Sequence, residues 1–436
     1  MSQEISTTAT ATTGNEKIEP TEDTEVLEEE PRNLLISLLS ELKIGVDLSR
    51  VPLPTFILEP RSLLEKFTDF MVHGDLLSGV NKLDTPLDRL KLITKWYLSG
   101  FYFRPKGVKK PYNPILGEIF RCKWEYNSSS NNTADTFLVA EQISHHPPVS
   151  CLYISNRKEG YTMTGLINPR SKFLGTSMAV IVDGSITLSL LEHNEDYVIT
   201  FPTACARGII FGTLLTEITG SASIVCKSSG LKADMDFKSK PLFGGEYNIV
   251  SGKIKKKGET FYSFTGKWDN KIEITNTTQK KKSSETLWDC KGAKKCPKII
   301  RSIADQEEFE SQRLWQNVAS AIINKNQKEA TVEKNRLEDE QRQRVKDRKE
   351  KGIEWEPRLF KKVGDQWVYK YENKTLYNPN EPKEVEINGI IHFDGSYDTI
   401  TKASSSSSSS SSSTSPCILS SKDGASSTTG ITQEVK

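Results

Sequence analysis

The sequence predicts a mainly β protein with flanking helices, an α+β chain built around one large, antiparallel, nearly closed β-barrel. Three observations carry this reading. From about residue 115 to 275 the chain breaks into short β-prone segments divided by turn chemistry. So many sequential strands with tight connections leave exposed edges unless the sheet curls and closes. On either side of this region apolar residues recur instead at helical spacing. A barrel of that many strands is wide enough for a ligand cavity.

The two ends fall outside this core. Residues 16–30 carry eight carboxylates against Lys17 alone, and the first 30 residues offer almost nothing to bury. Residues 404–413 are an unbroken serine tract in a polar tail. We therefore expect a disordered acidic tail over 1–30 and a Ser-rich disordered tail over 399–436, and the length between them suits two or three domains or a single large β structure. The plain reading of both tails is solvated chain.

Within the domain, Leu35, Leu38, Leu39 and Leu42 share a helical face, and Gly45 is placed to end the helix. Leu34 and Ile36 widen the apolar surface, so this short helix of the 31–50 segment must pack on a core or cover an apolar opening. Residues 51–115 read as a further, mostly helical part. Across 116–296, the segments 178–182 and 186–190 flank Asp183-Gly184, which predicts a hairpin. Strands are also expected at 136–140, 197–201, 213–218, 223–226, 234–237, 247–254 and 260–268. The 297–398 part turns helical, with no Gly or Pro from 298 to 351. Leu314, Trp315, Val318 and Ile322 give one amphipathic helix. A second, beginning near Thr331, is almost wholly polar and belongs on the surface or at a cavity rim.

A net charge of +2 over 436 residues hides a strong asymmetry, because residues 253–301 are crowded with lysine. Lys253, Lys255, Lys256, Lys257 and Lys280, Lys281, Lys282 are a candidate contact for anionic membranes, with solvated hairpin tips as the plain alternative. These clusters lack the interleaved aromatic platforms of a nucleic-acid binder. The seven cysteines are odd in number and show no CxxC spacing, and no signal-peptide pattern is seen, so a cytoplasmic setting with reduced thiols is expected. No apolar run approaches the ~18–20 residues that cross a bilayer, so membrane contact is expected to be peripheral.

The most specific segment is Glu141-Gln142-Ile143-Ser144-His145-His146-Pro147-Pro148. The prolines fix φ and remove two backbone donors, which puts both imidazoles at a strand end. Neighbouring strand residues face opposite ways, so the two rings share one ligand only at an irregular, rim-like position. The residues alone leave several readings open: half-buried turn histidines, an anion site, a zinc site without a third ligand, or an acid–base pair with Glu141. Lys334, Glu338 and Arg342 stand at i, i+4 and i+8, by themselves an intrahelical salt-bridge ladder.

Together, residues 141–148, the segment Lys109-Lys110-Pro111-Tyr112-Asn113-Pro114-Ile115-Leu116-Gly117-Glu118, and Leu53-Pro54-Thr55-Phe56-Ile57-Leu58-Glu59 resemble the oxysterol-binding-protein-related lipid-transfer family. The resemblance runs from about 33 to 395 and favours one folded domain over 31–398. Residues 53–59, 96–102, 157–160 and 169–175 resemble its phosphatidylserine-exchanging branch. The resemblance implies a lipid tunnel in the barrel and a lid carrying Leu35, Leu38, Leu39 and Leu42. It implies a phosphoinositide headgroup site of Lys110, Asn113, His145, His146, Lys334, Glu338 and Arg342. For phosphatidylserine it implies Leu53, Thr55, Ile57, Lys110, Asn113 and Ser171. The expected protein is a monomeric, non-enzymatic carrier without cofactor or metal. It exchanges phosphatidylserine for phosphatidylinositol 4-phosphate, peripherally, where the endoplasmic reticulum meets the plasma membrane or Golgi. A sterol exchanger and a non-transferring lipid sensor are the alternatives.

Overall fold

A computed structural model describes residues 29–48, 51, 53–104, 107–127, 133–209, 213–241, 244–280, 282–378 and 380. The serine-rich tail, nearly all of the acidic tail and the expected domain end at 398 lie outside the described residues. In chain order the first elements are helix α1 (Glu29–Ser40), strand β1 (Leu58–Ser62), helices α2 (Leu63–Lys66) and α3 (Pro86–Ser99), and strand β2 (Lys110–Tyr112), which pairs in parallel with β1.

One sheet of thirteen strands follows. Its members are β3 (Ile119–Asn127), β4 (Thr133–His145), β5 (Pro148–Asn156), β6 (Tyr161–Phe173), β7 (Met178–Leu190), β8 (Glu195–Ile199) and β9 (Thr203–Arg207). Then come β10 (Leu215–Cys226), β11 (Leu231–Lys238), β12 (Ile249–Lys256), β13 (Glu259–Lys267), β14 (Lys271–Asn276) and β15 (Ser284–Asp289). Helices α4 (Ser311–Leu314), α5 (Gln316–Ile323) and α6 (Gln327–Glu350) and a hairpin of β16 (Phe360–Val363) and β17 (Gln366–Tyr369) complete the described chain.

The strand order of the sheet is that of an antiparallel meander with one departure. β8 and β9 both sit between β7 and β10, β8 against Ile186–Leu190 and β9 against Met178–Val180 of β7. They amount to one strand interrupted at Thr200-Phe201-Pro202, where Pro202 has no N–H to give to a ladder. Beyond β15 the chain returns along the open side of β3. Ile119 N–H donates to Phe309 at 2.9 Å, and Lys123 and Ile299 exchange backbone hydrogen bonds at 2.9 and 2.7 Å. The first strand's edge is thereby covered, as edge control requires.

Several expectations need correction. No hairpin forms at Asp183-Gly184: β7 runs straight through, with Asn168 and Ile167 of β6 opposite the pair. Gly184 has φ +111°, and a Cβ there would run into the carbonyl oxygen of Leu166. This glycine serves close backbone approach inside a strand, not a turn. Residues 215–218 and 223–226 of two expected segments likewise belong to the single strand β10. The helix read from Leu314 to Ile322 breaks at Trp315 into α4 and α5, and α6 starts at Gln327, earlier than Thr331. α1 ends at Ser40, which leaves Leu42 in the following turn.

Helix α3 packs against the strands. Thr85 caps it by accepting the Asp88 N–H at 3.1 Å, and Pro86 starts its first turn. Leu90, Ile93, Trp96 and Leu98 are buried in one cluster with Leu152, Leu188, Ile224, Met235 and Ile254 of the strands. Each such side chain contributes roughly 1.5–3 kcal/mol on burial. Arg89 grips Glu195 of β8 with two hydrogen bonds of 2.8 Å, and the Tyr97 hydroxyl donates to the Thr200 carbonyl at 2.8 Å. Trp96, Tyr97 and Gly100 at its C-terminal end also border an open space.

Candidate ligand-binding site

That space is a cavity of about 470 Å³, within the range of small-molecule sites. Trp96, Tyr97, Phe101, Ile186, Ile199, Phe201 and Ile218 form much of its wall. Lys110, Asn113, Gln142, His145, His146, Ser150 and Ser171 supply polar lining.

The histidine pair sits where β4 turns into β5. The β4–β5 register shifts between Gln142 and Ser144, and the His146–Pro147 peptide is cis. This is the irregularity two neighbouring rings need to face one ligand. His145 Nδ1 lies 3.1 Å from His146 Nε2, with the rings edge-on at 4.4 Å. Burial, then His146, then Arg342 hold the His145 imidazole down at about 4, against the pull of Glu338. It is neutral at pH 7.

Lys110 donates to Asn113 Oδ1 at 2.8 Å. Burial pushes its ammonium down to about 8, Lys334 adds to the effect and Glu338 opposes it. At pH 7 the free protein still keeps this lysine mostly protonated.

Lys334, Glu338 and Arg342 form the expected ladder along α6, with Lys334–Glu338 at 2.5 Å and Glu338–Arg342 at 3.7 Å. None of the three lines the cavity wall, yet their charges reach Lys110 and His145. The ladder therefore runs beside the rim. Arg342 is the outermost, largely exposed and also paired with Asp339.

Leu53, Ile57 and Ser171 line the cavity and Thr55 does not. Thr55 is buried, and its hydroxyl donates to Gln327 Oε1 at 2.5 Å, at the start of α6. Of the residues expected on a lid, Leu35 and Leu39 are buried against Leu48, Phe173, Met178, Ile209 and Leu214, with Leu42 packed at the edge of that cluster and Leu38 half-buried. Leu48 and Met178 also line the cavity, so α1 packs beside it. Gly45, at φ +88°, lets the chain turn after α1 and donate to Phe173 at 2.7 Å.

Sequence reasoning missed the fasteners. Glu118 is fully buried and accepts from the hydroxyls of Ser62 and Ser311, from Trp315 Nε1 at 2.8 Å and from the Ile115 N–H at 3.0 Å. Burial pushes its carboxyl up while these donors hold it back. Glu141 accepts the N–H groups of Arg358 and Leu359 at 2.7 and 2.8 Å and does not line the cavity. It is a clamp on the C-terminal segment, which removes it as an acid–base partner for the imidazoles. Buried Gln341 shares a face with Ala330 and Leu337, and that helical spacing was the one available signal. Lys66 and Asp69, paired at 2.8 Å on the cavity wall and backed by Arg61, had none. Among the described residues no group of three or more His, Cys, Asp or Glu side chains could hold a metal ion.

The family model described as oxysterol-binding protein matches residues 37–380. The chain belongs to the oxysterol-binding protein family. It is 70% identical over 379 residues to oxysterol-binding protein 4 of Dictyostelium discoideum, covering 85% of this chain and 81% of that one. It is 44% identical over 376 residues to human oxysterol-binding protein-related protein 8, covering 84% of this chain. The family's mammalian members matched here are longer: the chain spans 42% of that human protein and 43% of mouse related protein 5. Among solved structures, the Osh1 ORD domain in complex with cholesterol superposes with a TM-score of 0.67 at 22% identity, over 86% of this chain and 93% of that one. The Osh3 ORD of Saccharomyces cerevisiae in complex with PI(4)P gives 0.61 at 22% identity, over 83% and 94%. These likenesses establish the shared barrel fold.

Proposed function

We propose that this chain is a lipid-transfer protein that exchanges phosphatidylserine for phosphatidylinositol 4-phosphate between membranes. The observation that carries the reading is the convergence of Lys110, Asn113, His145 and His146 on an apolar cavity with Lys334 and Glu338 close by. Acyl chains lie among the rings and aliphatic walls, the headgroup stays at the rim, and α1 closes over it. Burial at ~0.8 kcal/mol per CH₂ offsets extraction from the bilayer. Lys110, Lys334, Arg342 and the imidazoles give charge-assisted hydrogen bonds to phosphate, while Asn113 and Glu338 orient headgroup hydroxyls. A bound phosphate dianion raises the pKa values of His145 and Lys110, so loading takes up protons. Leu53, Ile57, Lys110, Asn113 and Ser171 hold the serine headgroup, and Thr55 acts through the helix it fastens. The protein works as a monomer, peripherally and in the cytoplasm, with the 31–398 domain as the carrier. The Osh3 complex with PI(4)P supports the first ligand by kinship.

A sterol in place of phosphatidylserine is the second reading, favoured by the largely apolar wall and by the Osh1 complex with cholesterol. Incubating the full chain with mixed liposomes, re-isolating it and identifying the bound lipids by mass spectrometry tests both. Co-purification of neither phosphatidylserine nor phosphatidylinositol 4-phosphate would sink the proposal. Sterol alongside the phosphoinositide selects the second reading, and binding without liposome-to-liposome transfer makes the protein a sensor.

A further inference from the structure

We propose that Gln142 and Ser150 form a further binding subsite, which takes an ester carbonyl of a glycerophospholipid just below its headgroup. Strand alternation puts them there. Side chains two apart on a strand share a face, and on one face β4 presents Leu138, Ala140 and Gln142 while β5 presents Ile154, Leu152 and Ser150. The two sets are paired row by row, Leu138 with Ile154, Ala140 with Leu152 and Gln142 with Ser150, so both strands turn from apolar to polar together. The apolar rows belong to the core cluster, and the polar row lines the cavity. Above it, His145 stands opposite Pro148. From Pro148 to Ser150 is two steps of β5, roughly 7 Å at the rise of a strand, so the polar pair lies one layer beneath the imidazoles.

Both residues are buried, and a carboxamide buried in apolar surroundings is costly unless its oxygen and its two N–H groups find partners. The Ser150 hydroxyl donates to Gln142 Oε1, and Gln142 Nε2 donates to the Ser144 carbonyl at 2.7 Å. These bonds fix the plane of the amide and decide which end is oxygen. The main chain of Gln142 is held as firmly, since its N–H donates to the Glu118 carbonyl at 2.9 Å and its carbonyl accepts the Gly117 N–H at 3.0 Å. One group is left over. Among the described residues the second hydrogen of Nε2 has no acceptor. An oriented amide donor therefore stands on the wall of a cavity that Trp96, Ile186 and Phe201 make largely apolar.

The depth and the charge of this donor select its partner. Anionic groups of a headgroup are met one layer higher, by Lys110 and the imidazoles. What a glycerophospholipid carries between headgroup and chains is a pair of ester carbonyls, which are neutral acceptors. A single uncharged N–H matches such an oxygen, and the bond forms in a low-dielectric place where an unmet donor is costly. A site built to pair one oxygen discriminates against the analogue that lacks it. A sterol has a single oxygen and cannot serve the cationic rim and this donor at once. The inference rests on the lipid reading above and narrows it to ester-linked lipids.

The test uses the full chain and phosphatidylcholine vesicles that carry phosphatidylinositol 4-phosphate in one of two forms. One is the ordinary diester, the other a diether with the same chains and no ester carbonyl. The wild type should extract the diester about fivefold better, the size of one neutral hydrogen bond. Gln142→Met should erase that preference and bring diester extraction down to the diether level. Differences between the two lipids in the bilayer cancel, because both proteins draw on the same vesicles. Ser150→Ala keeps the carboxamide but frees its oxygen, and its preference should fall between the other two. Equal extraction of the two forms by the wild type overturns the inference, whether or not a variant folds. A preference that survives intact in Gln142→Met overturns it as well, and leaves the residue a structural part of the wall. Extraction of neither form by the wild type would instead sink the lipid reading, and this inference with it.

Discussion

The side-chain oxygen of Gln341 accepts the backbone N–H of Leu116 at 2.7 Å. This one bond joins the two banks of the rim, the 110–117 loop that carries Lys110 and Asn113 and the helix that carries Lys334 and Glu338. Gln341→Ala leaves that half-buried N–H without its side-chain partner and should cost about 1–3 kcal/mol in denaturant unfolding. Phosphoinositide affinity should fall with it, since the banks lose register. Unchanged affinity beside a lowered stability would show that the bond is structural only.

Glu118 gathers four donors from the β1–α2 junction, the rim loop and the α4–α5 region. Glu118→Ala strands several of them at once, so a loss of at least about 3 kcal/mol is expected from urea titration. Glu118→Gln should also destabilise, because its NH₂ would face groups that themselves donate. A Glu118→Ala protein within about 0.5 kcal/mol of wild type would refute the hub.

Lys110 titrates at about 8 in the free protein, and a bound phosphate raises that value. A group whose pKa rises on binding contributes fully below its free pKa and is lost above it. Phosphoinositide affinity should therefore be insensitive to this group below pH 8 and decline above it, by up to tenfold per pH unit. Isothermal titration across pH 7 to 9.5 reads this directly, and Lys110→Ala should flatten the curve. A wild-type affinity that stays level above pH 8 contradicts the assignment.

Leu35 and Leu39 are buried on α1. Replacing both with Asp puts unpaired charge into an apolar cluster, which the helix escapes only by lifting away. Release of a fluorescent lipid should quicken by about tenfold or more, with circular dichroism showing the barrel intact. Equal release rates would mean that the helix does not gate the cavity.

Thr55 is fastened to Gln327 and away from the cavity wall. Thr55→Ala should cost about 1 kcal/mol and Thr55→Ser should restore most of it, with lipid preference altered only as far as α6 is loosened. A complete switch of cargo in Thr55→Ala at unchanged stability would instead place the hydroxyl on the ligand.

Much of this architecture was legible in the chain. Alternating β-prone segments announced the meander, and Leu35 and Leu39 announced a packed helix. The two prolines after His146 announced a strand end. What misled was local turn chemistry: Asp183-Gly184 has the composition of a hairpin, yet the neighbouring backbone at Leu166 is what demands the glycine. Gln341, Glu118 and Glu141 carried no distinguishing local pattern. Their partners lie 193 to 225 residues away in sequence for the bonds from Ser311, Arg358 and Leu116.

Residue order by itself announced a β-rich middle between helical flanks and a strand end at His146, because periodicity and proline stiffness act over a few residues. Long-range pairing and packing decided the rest. They alone determined that His145 and Lys110 share a cavity while Thr55 turns to α6. Facing direction follows from pairings between distant strands, and no short window of sequence contains them.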